Sequence, residues 1–86
     1  MKIQAELSLY PLKEVHISSY INGFLDTIKS TGLSVHVGPM STIIAGESEN
    51  VFQALSDAFG KTADTCKVVL NVTISNACPC ILETRD

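Results

Sequence analysis

Hydrophobic periods along this chain change in the order strand, helix, strand, strand, helix, strand. That order predicts an α+β fold, a four-stranded antiparallel sheet with two helices on one face. Three observations carry the prediction: strict alternation from Lys2 to Tyr10, two stretches with apolar residues at three- and four-residue spacing, and a short alternating run that turns through Gly38-Pro39 into a further strand. With 86 residues, one layer of helices on one sheet is about the largest core the chain can fill, so residues 1–86 are expected to form a single domain.

In the first strand Ile3, Ala5, Leu7 and Leu9 fall on one side, and Gln4, Glu6, Ser8 and Tyr10 on the other, until Pro11 ends the run. From Val15 to Lys29, the positions Ile17, Ile21, Phe24, Leu25 and Ile28 make one helical stripe, which Gly32 stops. Leu33, Val35 and Val37 alternate with Ser34 and His36 in the second strand, and the third runs from about Ser41 to Gly46. With Pro39 and Met40 at the centre of the turn, Val37 pairs with Thr42 and Val35 with Ile44, which sends Thr42 and Ile44 to the core side; a bulge would reverse this. Ser48 reads as the N-cap of a second helix whose stripe is Val51, Phe52, Leu55, Ala58 and Phe59, with Gly60 closing it. Lys61 to Thr65 reads as a polar loop, and Val68, Leu70, Val72 and Ile74 alternate with Val69, Asn71, Thr73 and Ser75 in a fourth strand.

Short connections and right-handed crossovers assemble these elements as a ferredoxin-like βαββαβ sandwich. The first and third strands are expected side by side and parallel at the sheet centre, which brings the Leu7–Tyr10 and Thr42–Glu47 segments together. The face without helices would carry Gln4, Glu6, Ser8, Tyr10, Ser34 and His36, with Val69, Asn71, Thr73 and Ser75 of the fourth strand. Such a face meets solvent or a second sheet, and self-association is expected.

Composition removes several classes of function. Six basic and nine acidic residues give a net charge of −3, with no Lys/Arg cluster to neutralise phosphates, so nucleic acid is not expected as a partner. At 45% hydrophobic and 17% charged the chain is too apolar for disorder. No run approaches the ~20 apolar residues of a membrane span. The start, Met1-Lys2-Ile3-Gln4-Ala5-Glu6, lacks the apolar core of a signal peptide, and three cysteines do not suggest a disulfide framework. A cytoplasmic location with reduced thiols is the expectation.

Catalytic chemistry finds little support. Cys66, Cys78, Cys80, His16 and His36 are scattered, and no Gly-x-Ser-x-Gly elbow is present. Cys78-Pro79-Cys80 offers two thiols, but a structural zinc needs two further ligands and no second pair exists; a tight Pro turn is the simpler reading. No glycine-rich loop opens a helix as a phosphate cradle. Neither a cofactor nor a metal is expected, and the chain reads as a non-enzyme.

Four segments in order, Ser8-Leu9-Tyr10-Pro11, Ser41-Thr42-Ile43-Ile44-Ala45-Gly46, Val51-Phe52-Gln53-Ala54 and Ser75-Asn76-Ala77-Cys78-Pro79, resemble the YkoF-like family of thiamine- and hydroxymethylpyrimidine-binding proteins. The resemblance implies the same ferredoxin-like fold and recognition of the aminopyrimidine half of thiamine. Carried over, the hairpin threonine corresponds to Thr42 and the first-strand contact to Ser8 or Leu9. The candidate ligand-binding set is Ser8, Leu9, Tyr10, Ser41, Thr42 and Glu47, with Glu47 and Glu6 favouring the positive thiazolium electrostatically. YkoF-type members carry two modules per chain, so a homodimer or homotetramer of this single module is implied.

The expected function is therefore binding of thiamine or its hydroxymethylpyrimidine part without chemistry, as a carrier or sensor in vitamin salvage or transport. The alternative is a regulatory or structural module that recruits a protein through its open sheet face.

Overall fold

A computed structural model describes residues 1–12 and 17–77, with the side chain of Ile17 left aside. In order the elements are β1 (Lys2–Pro11), α1 (Ile17–Lys29), β2 (Ser34–Val37), β3 (Thr42–Glu47), α2 (Ser48–Ala63) and β4 (Val68–Ser75). The strands lie in the order β2-β3-β1-β4, and each neighbouring pair is antiparallel. This is the ferredoxin-like α+β arrangement. Val15, His16 and Cys78-Pro79-Cys80 lie outside the described residues.

One packed core joins sheet and helices. Ile3, Ala5 and Leu7 of β1, Ile44 of β3, Phe24 and Ile28 of α1, and Val51, Ala54 and Ala58 of α2 are buried together. Their positions follow from the register: Ala5 sits opposite Ile44 and Leu7 opposite Thr42, while Val35 meets Ile44 and Val37 meets Thr42 across the hairpin. The expected turn register therefore holds, without a bulge.

Adjacent β1 and β3 are as expected, but their relative direction is not: they run antiparallel, with Lys2 opposite Glu47 and Leu7 opposite Thr42. The α1 crossover returns the chain to the starting direction for β2, and the tight hairpin then reverses it for β3. The consequence for the site is large. The end of β1 meets only the beginning of β3, and Glu47 is carried to the opposite end of the sheet.

The α2 boundaries and phase also differ from expectation. Glu47, without a side-chain cap bond, occupies the N-cap position, and Ser48 is the first helical residue, its N–H donating to the Met1 carbonyl at 2.9 Å. That backbone contact satisfies a donor that a capping side chain would otherwise take. Gly60 does not end the helix. Thr62, buried at 6% exposure, extends the inward stripe, its hydroxyl donating to the Ala58 carbonyl at 3.0 Å, and Asp64 is the C-cap. The stripe is Val51, Ala54, Leu55, Ala58 and Thr62, whereas Phe52 and Phe59 remain 52% and 39% exposed. Small Ala54 and Ala58 let the helix approach closely and leave no room for an inward aromatic.

Where a glycine ends α1 the expectation holds. Gly32 has φ 81°, a left-handed conformation natural to glycine just beyond a helix. β4 keeps its alternation, but as an edge strand it is only partly roofed: Val68 and Leu70 are half-buried, and Val72 and Ile74 are exposed.

Candidate functional site

The antiparallel register leaves a notch where β1 outruns β3. Leu12 donates its N–H to the Lys67 carbonyl at 2.8 Å, and the β1–β4 pairing runs without a slip from Pro11 opposite Val68 to Gln4 opposite Ser75. Along a strand the N–H and C=O of each residue point to one side, and sides alternate. Tyr10, Ser8, Glu6 and Gln4 therefore turn their backbone groups toward β4, and Leu9, Leu7, Ala5 and Ile3 turn theirs toward β3. Leu7, Ala5 and Ile3 meet Thr42, Ile44 and Gly46. Leu9 is the next in this series, but β3 begins at Thr42, so the Leu9 N–H and C=O face the notch with no strand partner among the described residues.

The hairpin forms the far wall. Gly38 donates its N–H to the Ser41 carbonyl at 2.9 Å, closing the turn around Pro39 and Met40. A Cβ at Gly38 would stand 3.0 Å from that same carbonyl oxygen, so the closure favours glycine there. From the helical side Ile21, Phe24 and Leu25 of α1 line the space, which has a volume of about 200 Å³. Apolar side chains thus cover its floor and roof, and polar groups come from the strand edge and the hairpin.

Five of the six sequence-derived site residues meet here: Ser8, Leu9, Tyr10, Ser41 and Thr42 all line the notch. Thr42 is 8% exposed, faces the helices as expected, and makes no hydrogen bond through its hydroxyl among the described residues. Ser41 donates its hydroxyl to Glu6 Oε2 at 2.8 Å, which anchors the hairpin to β1. Tyr10 is half exposed at the rim, opposite Val69 of β4. Glu47 does not join this group. It accepts from the Met1 ammonium at 3.0 Å and sits five residues along β3 from Thr42, about 16 Å away at the usual strand rise.

Residues that the sequence reading left out of the site are Leu7, Ile21, Phe24 and Leu25 and the turn residues Val37 to Met40. The α1 stripe was visible as a periodicity, but only the topology shows that its middle turns roof the notch. His36 is exposed on the helix-free face, in the row that runs through Ile43 to Glu6. A second hollow, between α1 and α2, is a weaker candidate because its hydroxyls are already committed: Thr27, Thr62 and Thr65 donate to the carbonyls of Gly23, Ala58 and Thr62. Among the described residues no group of three or more His, Cys, Asp or Glu side chains is placed to hold a metal ion, and no helix is long and apolar enough to cross a membrane.

Residues 2–81 match the model of the YKOF-related family. The chain belongs to that family. No curated protein matches it. Among solved structures, a hypothetical protein from Methanocaldococcus jannascii is 26% identical, with a TM-score of 0.80 over 87% of this chain and 79% of the other. A Streptococcus pneumoniae protein is 22% identical, with a TM-score of 0.82 over 87% of this chain and 86% of the other. A Thermotoga maritima protein, provisionally assigned to thiamine biosynthesis or salvage, is 18% identical, with a TM-score of 0.80 over 99% of this chain and the whole of the other. At these identities the last two attest the shared fold. The notch described above is thus built on a scaffold that these proteins share.

Proposed function

We propose that this YKOF-related protein binds the aminopyrimidine half of thiamine, or free hydroxymethylpyrimidine, in the notch between β1, α1 and the β2–β3 hairpin, and does no chemistry on it. What carries the proposal is one coincidence: the two segments of the family resemblance, Ser8–Tyr10 and Ser41–Thr42, meet around a strand edge left unpaired at Leu9. An aminopyrimidine presents a ring-nitrogen acceptor beside an amino donor. The Leu9 N–H and C=O present the complementary donor and acceptor side by side, as strand edges do for added strands.

Size argues the same way. About 200 Å³ is below the roughly 300–1,000 Å³ of pockets for drug-sized ligands, so one ring fits between Leu7, Leu9 and Phe24 while the thiazolium of thiamine would extend past Tyr10 and Met40. Thr42 supplies a hydroxyl to the enclosed ring. The provisional thiamine assignment of the Thermotoga maritima protein agrees with this ligand class. A cytoplasmic carrier or sensor in vitamin salvage or transport, working as a homodimer or homotetramer, is the physiological role we attach to it.

Calorimetric titration with thiamine and with hydroxymethylpyrimidine, together with light scattering to count protomers, tests this directly. Saturable micromolar binding, roughly −8 kcal/mol, is the expected result. Silence with both compounds would leave the second reading, a protein-recruiting module. That reading is favoured by the exposed Tyr10–Val69 pair on the helix-free face, 50% and 43% accessible.

A further inference from the structure

Ser41 is held at two points. Its carbonyl closes the hairpin turn by accepting from Gly38 at 2.9 Å, and its hydroxyl donates to Glu6 Oε2 at 2.8 Å. A serine hydroxyl has one hydrogen and two lone pairs, whereas a carboxylate has only lone pairs. The hydrogen of Ser41 is therefore committed to Glu6, and what remains on Oγ is acceptor capacity. Ser41 lines the notch, and Glu6 is absent from its walls.

We infer that Glu6 sets the hydrogen-bond polarity of the notch: by holding the Ser41 hydroxyl as a donor to itself, it leaves Ser41 Oγ able only to accept, so the notch selects a ligand that presents an N–H donor at that point. Glu6 is a positioning residue that acts through Ser41. The inference rests on the aminopyrimidine proposal and adds the determinant by which an amino-substituted ring is told from an otherwise similar ring bearing an acceptor. A ligand offering lone pairs at that position faces Ser41 with lone pairs on both sides, a mismatch that a polar site penalises strongly once water is displaced.

The test is calorimetric titration of the full chain with hydroxymethylpyrimidine and with the analogue in which methoxy replaces the amino group. The analogue keeps its ring nitrogens as acceptors, and both probes are neutral, so losing the Glu6 charge favours neither. The amino group has two hydrogens, one for the Leu9 carbonyl and one for Ser41 Oγ, so the unaltered protein should prefer the amino compound by about a hundredfold, the scale of two hydrogen bonds. Glu6→Ala, at an exposed position, frees the Ser41 hydroxyl to donate and should cut the preference to about tenfold, the share of the Leu9 carbonyl. Ser41→Ala should do the same, and Glu6→Gln, whose amide oxygen still accepts, should restore it. A Glu6→Ala protein that keeps the hundredfold preference overturns the inference. So does an unaltered protein whose preference is only about tenfold, although the aminopyrimidine proposal then stands on the Leu9 contact. If the unaltered protein binds both probes alike or binds neither, both fall together.

Discussion

Thr42 lies directly opposite Leu7 across β1 and β3, at the last rung of the ladder before the sheet opens into the notch. The residue is 8% exposed, and its side chain has no hydrogen-bond partner among the described residues. Thr42 lines the notch with a hydroxyl the fold does not use, so the position favours ligand recognition over stability. Thr42→Val removes the hydroxyl and keeps the shape. It should weaken hydroxymethylpyrimidine binding about tenfold or more while leaving the thermal midpoint unchanged or higher. Paired calorimetric titrations and melting curves check both halves, and a drop in stability with intact affinity would remove Thr42 from the site.

The Leu9 edge makes a prediction that needs no ligand at first. The Leu7 amide is bonded into the ladder with β3, and the Leu9 amide faces the notch without a partner among the described residues, so Leu9 should exchange its amide hydrogen much faster than Leu7 despite lying in the same strand. Addition of hydroxymethylpyrimidine should then slow Leu9 selectively. Residue-resolved hydrogen exchange by NMR measures this, and equal protection of the two amides in the free protein would contradict the register argument.

Much of this architecture is legible in the sequence, because β1, β2 and β4 are patterned with period two and the turn at Pro39-Met40 pins the register of β3 on β2. Placing Ser8, Leu9, Tyr10, Ser41 and Thr42 together required the resemblance as well as the topology. The direction of β3 relative to β1 is not legible in hydrophobic alternation, which carries no direction; the parity of crossover and hairpin sets it. The position of Glu47 depends on the same parity, since parallel strands would have kept it near Tyr10. In α2 the aromatic residues dominate any hydropathy pattern, and the controlling fact, close approach at Ala54 and Ala58, is a matter of volume and not of hydrophobicity.

That contrast within α2 can be measured. Phe52→Ser alters an exposed aromatic and should change stability by about 0.5 kcal/mol or less, as surface substitutions do. Ala54→Leu forces extra methylenes between α2 and a filled core and should cost about 1–3 kcal/mol. Urea denaturation of the two variants decides it. The reverse order of effects would mean that the helix presents its aromatic face inward.

Gly32 should be costly to replace through its backbone conformation alone. Its φ of 81° lies where a side chain costs roughly 1–2 kcal/mol, although nothing lies within 4 Å of an added Cβ. Gly32→Ala is therefore expected to lower the urea midpoint by backbone strain alone, and Gly32→Asn to lower it less, since asparagine tolerates this conformation. Gly23→Ala, with equal space around it but inside α1, should stabilise the protein by up to about 1 kcal/mol. A similar response from both alanine variants would show that the turn after α1 does not depend on its glycine.

Glu47 separates general electrostatics from local recognition. Its contact with the Met1 ammonium joins two exposed groups, 48% and 61% accessible, and exposed pairs of this kind contribute under about 1 kcal/mol. The strand rise puts it about 16 Å from Thr42, twice the ~8 Å screening length at physiological salt. Glu47→Gln should therefore leave thiamine affinity unchanged at physiological ionic strength. At low salt, where the screening length grows to ~30 Å, it should lower the affinity for cationic thiamine slightly, with no effect on neutral hydroxymethylpyrimidine. Titrations with both ligands at two salt concentrations make the comparison, and a large loss at physiological salt would place Glu47 in contact with ligand, through a second protomer if not within its own.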